Sequence, residues 1–141
     1  MHTNLSGPEA SAMYRLLRAG SVAVIGASED RGKFGGRLIY NLLHHGFHGT
    51  VYPINPKSEV ILGHKAYPDI ADVPSSPDVA AVAVPVQHLL ASLQGCVDAG
   101  VKVAIVITGQ LAETGSEGAK IQDEAVAIAR AAGMRILGPN C

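Results

Sequence analysis

Apolar residues in this chain gather into short continuous runs, and between those runs they recur every three or four positions. The runs Val22–Ile25, Val51–Ile54, Val79–Val84 and Val103–Ile107 are rich in β-branched residues and are bounded by Gly, Pro, Asn or Thr. Such runs predict strands buried on both faces. A last strand is predicted at Met134–Leu137. Pro53 removes one ladder donor from the second run, which predicts an edge strand or a bulge there. The intervening periodic segments predict helices. Pro8–Ala19 places Met13, Leu16 and Leu17 on one face. Gly35–His45 carries Leu38, Ile39, Leu42 and Leu43 at i, i+1, i+4 and i+5. Gln87–Ala99 turns Leu89, Leu90, Leu93, Cys96 and Val97 inward. Thr114-x-x-Glu117 has the form of a capping box, opening a helix with Ile121, Ala125, Ile128 and Ala132 on its core stripe. Glu59–Pro68 reads as a loop with a short strand near His64–Ala66, and Tyr67–Ile70 as a turn into a partial helix.

Strands alternating with helices at these spacings predict an α/β fold. It is Rossmann-like and doubly wound, a mainly parallel sheet with helices on both faces, in a single domain. Residues 1–20 form an arm and short helix, and residues 21–141 the domain proper. Pro74-Ser-Ser-Pro77 is too short to be a domain linker. Composition agrees: the 141 residues are 48% hydrophobic and 16% charged, with 16 glycines and no tryptophan. A net charge of −1 gives nucleic-acid binding no electrostatic support, so any phosphate affinity must be local. Two cysteines, Cys96 and Cys141, make neither a C-x-x-C nor a disulfide framework, which favours a reducing cytoplasm. There is no apolar run long enough to span a membrane, and Met1–Pro8 lacks the regions of a signal peptide.

Candidate chemistry centres on the glycines after the first strand. Gly26 ends that strand, Gly32, Gly35 and Gly36 follow within ten residues, and a helical pattern starts near Gly35. Strand, glycine loop and helix present backbone N–H groups and a helix N-terminus to an anion, by default a nucleotide phosphate. Only the closing G-x-x-G fits the dinucleotide fingerprint. The phosphate loop of nucleoside triphosphatases fails too, because Phe34 after Gly32-Lys33 offers no hydroxyl to magnesium. The alternative is that these glycines only make a tight turn. In a doubly wound sheet the ligand lies at the carboxyl ends of the strands. Those ends carry Gly26–Phe34, Asn55–Ser58, Val84–Val86, Thr108–Glu113 and Gly138–Cys141. An NAD-binding domain offers Asp or Glu at the end of strand two. Here Ile54-Asn55-Pro56-Lys57 stands there, and Lys57 favours NADP or the 3′-phospho-ADP of coenzyme A over NAD. A solvated surface lysine is the alternative.

Val24-Ile-Gly-Ala-Ser28, Asn41-Leu-Leu with Gly46-Phe47, Gly49-Thr-Val-Tyr-Pro-Ile-Asn-Pro-Lys57, Val82-Ala-Val-Pro85 and Gly138-Pro-Asn-Cys141 follow one another in an order that carries a resemblance. Together, over residues 20 to 141, they are similar to the CoA-binding domain of NDP-forming acyl-CoA synthetases. That group includes ADP-forming acetyl-CoA synthetases and the α subunit of succinyl-CoA synthetase. The resemblance implies that Gly26-Ala27-Ser28 and the loop of Gly32, Lys33, Phe34 and Gly35 wrap the CoA diphosphate. It implies that Lys57, of Asn55-Pro56-Lys57, meets the adenosine-side phosphate. Val84 and Pro85 would border adenine or pantetheine, Thr108 and Gly109 would lie near the pantetheine arm, and Asn140 near the thiol. One departure is Thr108-Gly109-Gln110-Leu111 where relatives carry Ser-Gly-Phe. The implied partners are an ATP-grasp domain or subunit, which supplies the ATP/ADP site, and a domain bearing a phosphorylated histidine. Neither fits within this chain, so it is expected to bind CoA without turnover, as an excised domain or a freestanding binder. An NADP-linked oxidoreductase domain remains the rival reading.

Other candidates are weaker. His44, His45 and His48 look like a metal cluster, but adjacent helical residues diverge by about 100°. Histidines at a helix C-terminus are favoured by the dipole alone. Cys96 reads as a core residue, and Cys141 as a rim thiol without an assigned base. Glu113 is either a ligand-orienting or a solvated carboxylate. Glu29 and Asp30 are expected to point outward, offset by Arg31 and Lys33.

Overall fold

The computed structural model describes residues 8–139. Its strands are β1 (Ser21–Ile25), β2 (Thr50–Ile54), β3 (Val60–Ile61), β4 (His64–Lys65), β5 (Val79–Val82), β6 (Val103–Val106) and β7 (Arg135–Leu137). Its helices are α1 (Pro8–Leu17), α2 (Phe34–His44), α3 (Leu89–Asp98) and α4 (Ser116–Ala132), with single 3-10 turns at Ile70–Asp72, Val86–His88 and Ala112–Thr114. Five strands make one parallel sheet in the order β2-β1-β5-β6-β7, while β3 and β4 form a separate antiparallel hairpin.

Side-chain alternation along the strands divides the core into two layers. Val22 and Val24 of β1, Val79 of β5 and Val103 of β6 face Ile39 of α2. Ala23 and Ile25, Ala80 and Val82, and Ala104 and Val106 face the opposite way, onto Leu89, Leu93 and Cys96 of α3 and Ala125 and Ala129 of α4. The sheet is therefore covered on both faces, which its near-continuous apolar strands require. Burial pushes the Cys96 thiol up to about 12, with Asp69 adding to the effect, so this thiol is a protonated core group.

β2 is an edge strand, as Pro53 implied. The Pro53 carbonyl accepts from the Tyr67 N–H at 2.9 Å, on the side away from β1. Its ring nitrogen faces that same side, so the missing donor costs β1 nothing. The Asn55 N–H donates back to the Tyr67 carbonyl at 2.9 Å, which covers the edge near the ligand-facing end.

Three expectations need correction. The stripe on α1 is different: Leu16 packs on the α2 layer, but Met13 is 56% and Leu17 74% exposed. The capping box does not form. The Thr114 hydroxyl donates to the Leu111 carbonyl at 2.8 Å, and Gly115 opens α4 without a side-chain cap. Leu111 is buried and anchors the turn before the helix, and that turn captures the threonine. The third strand stops at Val82 and not at Val84, because β1 ends at Ile25 and offers no ladder partner beyond it. The loop 59–68 also holds more order than expected. Leu62 and Gly63, at φ 49° and 78°, turn β3 into β4 with both central residues left-handed.

Two glycines fix how α2 meets β1. Gly26 takes φ 90°, and a side chain there would strike the Ala83 carbonyl. Gly35 has no room for a Cβ either, because its position is taken by the Gly26 carbonyl. Helix and loop therefore touch backbone to backbone. Gly32 differs: a Cβ would meet only the flexible Asp30 carboxylate, at 3.0 Å. Gly35→Ala is expected to destabilise the domain by about 3 kcal/mol, as overpacking against fixed backbone does. Gly32→Ala is expected to cost about 1 kcal/mol or less. Urea denaturation checks both, and equal midpoints for the two variants would contradict this packing.

Candidate functional site

The strand order reverses between β1 and β5, since β1 is followed in sequence by β2 on one side and has β5 on the other. That switch point opens a crevice at the carboxyl ends of the strands. Two cavities meet there on either side of Val84 and Pro85. One, of about 660 Å³, is bounded by Lys33 and Phe34 at the start of α2, by Ala83–Val86, and by Ile107–Gln110 with Glu113. The other, of about 420 Å³, lies between the ends of β1 and β2 and α3, with Gly26, Pro56, Pro68, Ile70, Pro85 and His88 among its walls.

The floor of the crevice is the glycine loop. Its first two N–H groups, Gly26 and Ala27, both donate to the Ile54 carbonyl at 3.2 and 3.3 Å. Ser28 Oγ accepts from the Asp30 N–H at 3.0 Å, and Asp30 Oδ1 from the Gly32 N–H at 2.9 Å. Asp30 thus spends its carboxylate on its own turn. Glu29 does likewise at a distance, accepting from the Leu62 N–H of the β3–β4 turn at 2.9 Å. Both carboxylates are exposed, as expected, but backbone amides hold them and not Arg31 or Lys33. Arg31 instead lies 3.7 Å over the Tyr40 ring. α2 then begins at Phe34 with no side-chain cap on its first turn and no acidic residue in it. An uncapped helix start over a glycine loop favours an anion.

Every expected residue but Asn140 can be placed. Gly26, Lys33, Phe34, Pro56, Val84, Pro85, Thr108 and Gly109 all border the paired cavities. Gly35 and Ala27 are buried beneath them, and Gly32 is exposed on the loop. Phe34 is 62% exposed, its ring under the Arg37 guanidinium at 4.6 Å. Lys57 is exposed beside Pro56. Asn140 and Cys141 lie outside the described residues. Thr108 is braced and not free: its hydroxyl donates to the Val84 carbonyl at 2.8 Å, tying the end of β6 to the crossing loop. Glu113 also serves the frame, accepting from the Gln110 N–H at 2.7 Å. Hydrogen bonds from its own N–H and those of Leu111 and Gln110 hold its carboxyl below the ordinary glutamate range. Pro68, Ile70 and His88 were not anticipated as cavity walls. No local motif marks them; the return of the chain through Tyr67 to β2 brings the first two in. His44 stacks on Tyr40 at 4.1 Å and bonds the Tyr40 carbonyl at 2.9 Å through Nδ1.

An open parallel sheet with a glycine loop and confluent cavities at its switch point defines a Rossmann-like nucleotide-binding domain. Within that class the chain belongs to the CoA-binding domain family, whose pattern matches residues 20–141. It is 41% identical over 120 residues to an ADP-forming acetate–CoA ligase of Archaeoglobus fulgidus, covering 85% of this chain and 18% of that protein. It is 42% identical over 120 residues to the α subunit of an ADP-forming acetate–CoA ligase of Pyrococcus furiosus, covering 85% of this chain and 26% of the subunit. Among solved structures, an acetyl-coenzyme A synthetase of Ca. Korarchaeum cryptofilum, in complex with phosphate and ADP, superposes with a TM-score of 0.87 at 43% identity, over 92% of this chain and 28% of that one. A hypothetical protein from Pyrococcus horikoshii superposes with a TM-score of 0.73 at 26% identity, over 100% of this chain and 91% of that one. The chain thus spans only a fifth to a quarter of the curated ligases it matches, and corresponds to their CoA-binding part. None of the described helices is long and apolar enough to cross a membrane.

Two outcomes follow from the bracing. Thr108→Val removes a buried donor and leaves the Val84 carbonyl unpaired, so it is expected to cost about 1–3 kcal/mol in chemical denaturation. An unchanged midpoint would contradict the tie. Because the Glu113 carboxyl is held low, its contribution to the 108–115 loop is complete above about pH 4.3 and fades as pH falls through the lowered value. The Gln110 amide resonance is expected to titrate with a midpoint below about 4.3. A midpoint above that value would contradict the contact.

Proposed function

We propose that this chain is the CoA-holding module of an NDP-forming acyl-CoA synthetase. The crevice at the switch point is its CoA site, and the observation that carries this reading is the meeting of two cavities at Val84–Pro85, directly beside Gly26 and the uncapped start of α2. The CoA diphosphate lies over the loop 26–33 and the first turn of α2. Adenine occupies the cavity walled by Pro56, Pro68, Ile70 and Pro85, whose flat apolar faces suit a heterocycle. From there the 3′-phosphate reaches Lys57, which follows the cavity-wall residue Pro56 in the chain. Pantetheine runs past Lys33 and Phe34 toward Thr108, Gly109 and Gln110. Gly26, Ala27, Ser28, Gly32 and Gly35 shape the loop, and Asn140, outside the described residues, is the candidate for the thiol end.

The protein's part is binding and orientation. In the full ligase the acid, CoA and ATP are interconverted with acyl-CoA, ADP and phosphate. The CoA sulfur attacks the carbonyl of an acyl phosphate, the C–S bond forms, the C–O bond to phosphate breaks, and phosphate departs. An ATP-grasp domain or subunit supplies ATP/ADP, and a phosphorylated histidine elsewhere carries the phosphoryl group. The ligases that share this domain, as separate subunits or longer chains, support that setting. A freestanding CoA binder is the second reading, favoured by the likeness over nearly full length to a small chain from Pyrococcus horikoshii.

Isothermal titration calorimetry with CoA, dephospho-CoA, NADP and NAD tests the reading. CoA is expected to bind most tightly. Loss of the 3′-phosphate is expected to weaken binding about tenfold, the size of one charge-assisted contact of ~1.5 kcal/mol. Lys57→Ala is expected to erase that difference. NADP binding more tightly than CoA would reject the assignment and favour an oxidoreductase domain.

A further inference from the structure

Asn55 sits at the carboxyl end of β2, half-buried, between the glycine loop and Lys57. Both ends of its amide are engaged by backbone. Nδ2 donates to the Ala27 carbonyl at 2.9 Å, and Oδ1 accepts from the Lys57 N–H at 2.7 Å. One partner is an acceptor and the other a donor, so only this amide orientation satisfies both. Its own N–H donates to the Tyr67 carbonyl at 2.9 Å. The preceding carbonyl, Ile54, receives the N–H groups of Gly26 and Ala27. The last residue of β2 and the one after it thus hold the first turn of the glycine loop from both its donor and its acceptor side. Pro56 completes the link, since its fixed φ keeps the path from Asn55 to Lys57 short and stiff.

The Lys57 side chain is long, exposed and rotamer-rich, which makes a poor recognition element unless its backbone is fixed. The Oδ1 contact fixes it, and the same amide group fixes the loop on which a diphosphate would rest. We propose that Asn55 is a positioning residue that couples the glycine loop to Lys57, so that discrimination for the 3′-phosphate depends on Asn55 as well as on Lys57. This rests on the CoA site proposed above. A carboxylate cannot replace the amide: Asn55→Asp keeps an acceptor for the Lys57 N–H but sets an oxygen against the Ala27 carbonyl. Asn55→Ala breaks both links.

The test measures CoA and dephospho-CoA affinities by calorimetry for wild type, Asn55→Ala, Asn55→Asp, Lys57→Ala and the Asn55→Ala/Lys57→Ala double variant. Val103→Ala, in the core at the opposite end of β6 and lining neither cavity, serves as the destabilised control, and Asn55→Ser replaces alanine should that variant not fold. Asn55→Ala is expected to lower CoA affinity about tenfold or more and to collapse the preference for CoA over dephospho-CoA. The double variant is expected to lose no further preference. Asn55→Asp is expected to weaken both ligands while retaining much of the preference. A residue that only stabilises the fold would weaken both ligands in proportion, as Val103→Ala should, and an unchanged preference in Asn55→Ala would overturn the proposal. Amide hydrogen exchange without ligand separates this from the site assignment. If wild type binds no CoA, yet Asn55→Ala strips protection from the Lys57 N–H, the CoA site is wrong and the coupling stands. If that protection is unaffected, the coupling is wrong whatever the ligand.

Discussion

The contact between the start of α2 and the loop after β1 is the constraint on which the site depends. It is made by backbone alone: the Gly35 Cα rests on the Gly26 carbonyl, and Gly36 on that of Asp30. No side chain at either glycine fits without moving the helix or the loop. This contact brings the helix N-terminus low over the strand ends, at the place where β1 and β5 part company. A longer separation would leave the first-turn amides facing protein loops and not the crevice. The glycines are therefore explained first by packing, and the anion-favouring geometry is a consequence of that packing.

Around this contact, the loops at the strand ends are stiffened by polar groups spent on backbone. Asp30 and Ser28 close the glycine loop, Thr108 ties β6 to the crossing segment at Val84, and Glu113 closes the turn beyond it. Each of these side chains bonds to backbone. The crevice offers apolar walls, a helix start and the cation of Lys33, with exposed Lys57 following the wall residue Pro56. That chemistry suits holding a phosphorylated carrier.

Much of this architecture could be read from residue patterns. Continuous β-branched runs mark a parallel sheet because burial on both faces leaves no polar alternation, and the helical stripes of Ile39, Leu93 and Ala125 face the two layers as their spacing required. Pro53 announced an edge strand correctly because its missing donor is tolerated only where no ladder neighbour asks for it. What failed were short-range signals overridden by neighbours. Thr114 and Glu117 have the letters of a capping box, but the buried Leu111 captures the threonine hydroxyl. Leu17 has the spacing of a core residue yet points outward, because Leu16 and the Arg15–Asp78 ion pair hold this end of α1 from another side. At the candidate site, what could be read was the placement of Gly26 and the Val84–Pro85 turn at the strand ends, where they line the cavities. The partners of Asn55, Thr108 and Glu113 were not, because they come from distant segments that only the sheet order brings together.

Amide chemical-shift mapping of this 14.6 kDa chain during titration with CoA addresses the central claim most directly. The largest shifts are expected over Gly26–Gly36, at Asn55 and Lys57, and at Val84 and Val86. Shifts concentrated instead around Met134, Ile136 and Ala129, where a separate cavity of about 220 Å³ lies between α4 and β7, would contradict it.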